Sequence, residues 1–289
     1  MTSCTLRERA YHALIDTDPA RKITAATALY QQAQTLPDAA LREPPSQPIE
    51  RLPDPGRPAK PILRAPRELT RRSPASQAGR NAMAHAFAHI EFNAINIGLD
   101  AVYRFDDQPA DFYRDWLRVA AEEGKHFQLL NDYLQQHGQS YGDHPAHDSL
   151  WETVHATDHD VLVRMALIPR VLEARGLDVT PGIAEKLRQH GDTALADILG
   201  IIYTEEIGHV EIGTRWFRHH CALRGLDARD TFRALLNKYM AGRIRGPYDE
   251  PGRLQAGFSP EEIEDLKALE AHTLALLDSE PRRRNPSPD

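Results

Sequence analysis

Four long stretches of this chain repeat apolar residues at helical spacing, with polar residues on the opposite face. The first begins at Ser73-Pro74, an N-cap followed by a proline at the first helical position, and runs to about Tyr103. The second follows from about Pro109 and ends before Gly138. The third starts near Asp148 and stops at Gly176, which reads as a C′ glycine; Thr180-Pro181 then opens a short helix. The fourth begins after Asp192 and continues to about Gly225. Strand signals are weak throughout. Four helices of roughly 25–33 residues suit a large up-down bundle, so the expected fold class is all-α.

Flanking segments are patterned differently. Residues 5–34 predict two short helices broken near Asp18-Pro19. Residues 37–74 hold ten prolines in 38 positions, which excludes regular helix. This segment is either a disordered linker or an extended arm, and Ile49, Leu52, Ile62 and Leu63 favour an arm packed over something. After the bundle come a helix at 228–242, a Gly/Pro-rich loop, and a helix from Ser259-Pro260 to about Leu277; "EPRRRNPSPD" reads as a frayed tail. The expected division is 1–72 (N-terminal helices and arm), 73–225 (bundle) and 226–289 (helical extension).

Composition narrows the class. Of 289 residues, 41% are hydrophobic and 27% charged, as in ordinary globular proteins. No run of about 18 apolar residues predicts a membrane span. "MTSCTLRERAYH" lacks a signal-peptide core, and two cysteines are too few for a disulfide scaffold, so a cytoplasmic location is expected. A net charge of −7 argues against a broad nucleic-acid surface. Fourteen histidines direct attention to metal sites.

The second helix carries Glu123-x-x-His126 and the fourth Glu206-x-x-His209. On a helix, positions i and i+3 share a face, so each pair can reach one point. The motif alone is weak, and Glu152-x-x-His155 is a decoy with Asp148, Ser149 and His159 around it. Context separates them. Glu123 lies among Trp116, Val119, Ala120, Phe127 and Leu130, and Glu206 among Leu199, Ile202, Tyr203 and Val210. A carboxylate on a core-facing stripe needs a partner or a metal. Two further acids meet that description, Glu91 on the first helix and Glu173 on the third, although Arg170 offers Glu173 a structural ion pair. The spacings agree: 123 − 91 = 32 and 206 − 173 = 33, while 173 − 91 = 82 and 206 − 123 = 83. The chain is a quasi-repeat of Glu followed by Glu-x-x-His. That is the ligand set of di-iron and di-manganese carboxylate bundles. Carboxylates with one imidazole per metal suit two iron ions, or manganese.

Other residues have plainer readings. Glu122 is expected as an exposed ion pair beside Arg118 and Lys125. His85 and His89 read as packing or surface, Trp116 as core, and "RIRG" at 243–246 as a solvated loop. His155 and His159 lie more than about 20 Å from Glu173 at 1.5 Å per residue, too far to join the same site. Pro169 should kink the third helix and open room beside the site. Tyr203, one turn before Glu206, is expected near the metals as a hydrogen-bond partner, a redox-active phenol or plain core.

The stretches "AHAFAHIEFNAINIGLDA", "FYRDWLRVAAEEGKHF", "YGDHPAHDSLWE", "MALIPRVLEARGLDVTPGI" and "IYTEEIGHVEIGTRWF" resemble the ferritin-like domain-of-unknown-function 455 family, over roughly 73–225. The arm and "GPYDEPGRLQAGFSPEEI" resemble that family's flanks. The resemblance implies a ferritin-like bundle with Glu91, Glu123, His126, Glu173, Glu206 and His209 as metal ligands. A more distant similarity is to the ferritin-like tRNA isopentenyl-adenosine hydroxylase, an oxygen-activating di-iron enzyme, which serves as analogy only. The leading expectation is an O2-activating oxidase or hydroxylase of a small-molecule or modified-base substrate, drawing on an external electron donor and working as a monomer or small homo-oligomer. The alternatives are ferroxidase or metal handling, and a non-catalytic bundle.

Overall fold

The computed structural model of the chain describes residues 4–69 and 73–279, so the 280–289 tail lies outside the described residues. It is an all-α helical bundle; among the described residues the only β pairing is an isolated parallel bridge between Leu63 and Ala146. The helices are α1 (Leu6–Ile15), α2 (Pro19–Ala33), α3 (Asp38–Leu41), α4 (Gln77–Arg104), α5 (Ala110–Gln136), α6 (Ser149–Ala156), α7 (Val161–Leu167), α8 (Ala174–Gln189), α9 (Thr193–Leu223), α10 (Ala228–Tyr239), α11 (Glu250–Gln255) and α12 (Pro260–Ser279). No described helix is long and apolar enough to cross a membrane.

Local chemistry sets most boundaries. Thr5 and Glu8 form a capping box on α1, and Asp18 caps α2 just before Pro19, at the predicted break. The start of α4 differs from the expectation. Ser76, not Ser73, accepts the N–H of Gly79 at 3.1 Å, while Ser73 accepts from Ala75 in the preceding turn. Asp192 caps α9 through Leu195 N–H.

The predicted third helix is not continuous. It breaks at 157–160, resumes as α7, passes through a π-helical turn at Ile168–Glu173 and continues as α8. A buried Arg164 holds the break closed, donating to Val154 O (2.9 Å), Thr157 Oγ1 (2.7 Å) and Asp100 Oδ2 (2.8 Å). Pro169 supplies the expected disturbance as a π turn, since it has no N–H for the regular ladder. Gly176 does not end the helix and does not adopt a left-handed backbone; α8 runs through it and through Pro181.

Helix α4 packs along α5, α8 along α9, and α5 against α9, which encloses one core. Helix α1 lies on α4 and α2 on α5. The arm is ordered. Leu52 and Pro61 are buried, Trp151 Nε1 donates to Pro53 O at 3.2 Å, and the buried Lys22 ammonium donates to Leu14 O (2.8 Å), Gly56 O (2.6 Å) and Asn96. Ile62, expected to pack, is instead 53% exposed, and its neighbour Leu63, bridged to Ala146, is half-buried.

The C-terminal helices are tied to the bundle by buried charge. Arg170 turns away from Glu173, contrary to expectation, and pairs with Glu262 of α12 at 2.5 Å. Its guanidinium sits 4.0–4.7 Å from the ring centroids of Phe232, Phe258 and Phe217. The 243–246 loop is also more anchored than predicted: Ile244 is buried, and Arg175 donates to the carbonyls of Arg245, Gly246 and Pro247.

Candidate metal centre

The core stripes of α4, α5 and α9 bring acids to one point. Glu91 comes from α4, Glu123 and His126 from α5, Glu206 and His209 from α9, and Glu173 from the last position of the π turn. Ligand atoms of Glu91, Glu123, His126 and Glu206 all lie within 4.8 Å of one another, and all four residues are buried. This buried Glu/His cluster can hold a metal ion. His126 Nδ1 lies 3.2 Å from Glu123 Oε2 and 3.4 Å from Glu91 Oε2. His209 is just outside the tightest group, its Nδ1 3.0 Å from Glu123 Oε1 and 3.6 Å from Glu206 Oε2. Glu173 touches none of these directly. Its two carboxylate oxygens are buried without a hydrogen-bond partner.

Electrostatics follow from crowding acids in a dry core. Burial and the charge of Glu123 push the Glu91 carboxyl well above its ordinary value. Burial, with Glu206 and Glu123 nearby, does the same for Glu173, and burial with Glu123 raises Glu206. Burial would raise Glu123 too, but the charge of His209 and hydrogen bonds from Glu91, His126 and His209 hold it well below. Burial opposes a charged His126, yet Glu123 and Glu91 raise it to about 11; Glu123 and Glu206 raise His209 in the same way. Glu91, Glu173, Glu206 and both imidazoles thus hold their protons more firmly than usual, and Glu123 less firmly.

The outward imidazole nitrogens show what sequence reasoning missed. His209 Nε2 donates to Glu122 Oε2 at 2.8 Å, and His126 Nε2 donates to Glu205 Oε2 at 2.8 Å. Each outer carboxylate sits on the opposite helix from the histidine it holds. Glu122 is anchored by Arg118 (2.9 Å) and Glu205 by Lys125. Glu122 is thus not only a surface ion pair. The sequence signal was present as a doubled acid, Glu122-Glu123 and Glu205-Glu206, before each histidine. Such partners fix an imidazole tautomer and leave Nδ1 free for a metal.

The remaining candidates separate cleanly. Trp116 is buried core. Tyr203 points its hydroxyl at Asp249 (2.5 Å), not at the carboxylates, and burial with this bond raises it to about 12. His89 bonds Tyr141 OH and His147 O, and His85 accepts from Gly142 N–H, so both are packing residues. Glu152 is exposed and His155 meets Pro53 O.

A cavity of about 150 Å³ opens beside the cluster, lined in part by Glu91, Glu173 and Glu206. Its other walls are mainly apolar, from Phe87, Ile90, Ala94, Leu172, Val179 and Ile202.

A family model described as "Protein of unknown function (DUF455)" matches residues 15–264. An uncharacterized protein of Haemophilus influenzae is 48% identical over 220 residues, covering 74% of this chain and 76% of its own length. No solved structure matches the chain.

Proposed function

Because the chain belongs to the DUF455 family, whose description carries no activity, we propose from the site itself that it is a ferritin-like di-metal carboxylate protein, with two iron ions, that oxidises an organic substrate with O2. The observation that carries this reading is a buried cluster of acids with too few protein partners. Both Glu173 oxygens and one each of Glu91 and Glu206 make no hydrogen bond in the core. Such groups are costly unless a cation joins them. Six donors of carboxylate oxygen and imidazole nitrogen fit iron or manganese.

Glu123 takes the central role, because its two oxygens face the two imidazoles separately. His126 and His209 would each hold one metal, and Glu91, Glu173 and Glu206 would supply further carboxylates. When bound, the iron pair supplies O2 reduction, with two electrons from an external donor. The protein excludes water, orients both imidazoles through Glu122 and Glu205, and gives up protons from the crowded acids as metal enters. Uptake should therefore release protons and weaken as pH falls, because groups with raised pKa hold their protons more firmly there.

Anaerobic Fe(II) titration tests the reading. Two irons per chain are expected, with proton release and subsequent O2 consumption. Glu123→Ala should lose most of the iron. Full occupancy in that variant would overturn the ligand assignment, and metal uptake with no O2 consumption would leave a binding protein in place of an oxidase.

A further inference from the structure

Gly176 is a glycine that the fold does not require. It lies inside α8, where glycine costs about 1 kcal/mol relative to alanine. Its backbone is not left-handed, and a Cβ built there meets no atom within 4 Å. Neither conformation nor close packing explains the missing side chain. Helical geometry does. Leu172, Glu173, Gly176, Val179 and Thr180 form one stripe, spaced by three and four, and all five line the 150 Å³ cavity. A side chain at 176 would enter that cavity beside Glu173.

We infer that Gly176 keeps open a substrate pocket for an uncharged hydrocarbon group, held against the three carboxylates Glu91, Glu173 and Glu206. This rests on the proposed reading of the cluster as an oxidising metal centre. The size follows from the volume: at about 30 Å³ per small group, 150 Å³ admits about five heavy atoms. The chemistry follows from the walls. Phe87, Ala94, Leu172, Val179 and Ile202 offer no partner for a charge. The nearby cation, Arg175, is committed to the carbonyls of Arg245, Gly246 and Pro247. A carboxylate or an ammonium group would give up its hydration among these apolar walls with no free counter-charge to replace it. The occupant is therefore the aliphatic or unsaturated end of a larger molecule.

The test uses 1-pentanol, pentanoate and pentylammonium as probes on the full chain, with binding followed by backbone NMR shifts. For wild type, 1-pentanol should give saturable shifts at residues 172–180 and 202–203, with both ions at least tenfold weaker. Gly176→Leu should weaken 1-pentanol at least tenfold, and Gly176→Ala by less, while iron per chain stays unchanged. Leucine and alanine are better helix formers than glycine, so both variants should melt no lower than wild type. Equal binding of ion and alcohol, or unchanged binding in Gly176→Leu, overturns the inference. If the chain takes up no iron but 1-pentanol binding is lost in Gly176→Leu, the oxidase reading fails and the pocket stands.

Discussion

Glu122 and Glu123 are adjacent, yet one reaches out of the core and the other is fully buried. The apolar stripe of α5 made the difference in burial legible, because Trp116, Val119, Phe127 and Leu130 share a face with Glu123. It could not reveal that Glu122 holds His209, since that partner lies 209 − 122 = 87 residues away on another helix. Contacts of this kind depend on how α5 and α9 are rotated against each other. Removing an outer carboxylate should leave the imidazole free to turn or change tautomer. Glu122→Ala and Glu205→Ala are each expected to lower metal affinity about 10–100-fold. Competition with a chelator measures the change, and wild-type affinity in both variants would show that the outer pairs serve only the surface.

Among the elements, α5 and α9 were readable almost to the residue, since caps and periodicity are local. The third predicted helix was not. Its break at 157–160 depends on the buried Arg164–Asp100 pair, and its passage through Gly176 and Pro181 depends on packing against α9. The π turn that ends at Glu173 is fitted to α9 at one point: a Cβ at Gly213 would lie 2.1 Å from Pro169 Cγ. Gly213→Ala should push the two elements apart and destabilise the protein by about 1–3 kcal/mol. Urea unfolding of metal-free protein reads this without interference from ligand binding. An unchanged midpoint would mean that the π turn is free to move.

At the scale of the whole molecule, the expected bundle is present, but its flanks are more closely integrated than composition suggested. Proline count alone could not distinguish a loose linker from an arm whose backbone carbonyls bind Lys22 and Trp151. Likewise, nothing local announced that Arg170 would anchor α12. Burial lowers this guanidinium to about 10, still charged near neutral pH, and Glu262 is its ion-pair partner. Arg170→Met would leave the buried Glu262 with the Ser259 N–H and the half-exposed Arg218 at 3.3 Å, and its Oε1 without a partner. The expected loss is about 3–5 kcal/mol. Arg170→Met/Glu262→Gln should recover part of it, because the unpaired charge is gone while the cap on Ser259 N–H can persist. Thermal melting of the single and double variants compares the two, and equal midpoints would exclude the charge as the cause.

The crossed outer carboxylates have a consequence in the language of symmetry. Glu122 meets His209 as Glu205 meets His126, so the two halves of the quasi-repeat touch as two subunits do across an isologous interface. Each half carries a carboxylate that it cannot use on its own histidine. A single half would possess one Glu-Glu-x-x-His and an unsupported imidazole, and a second half would be needed to support it. The readiness of this site to take up metal is thus a property of the pairing between halves, carried here within one continuous chain.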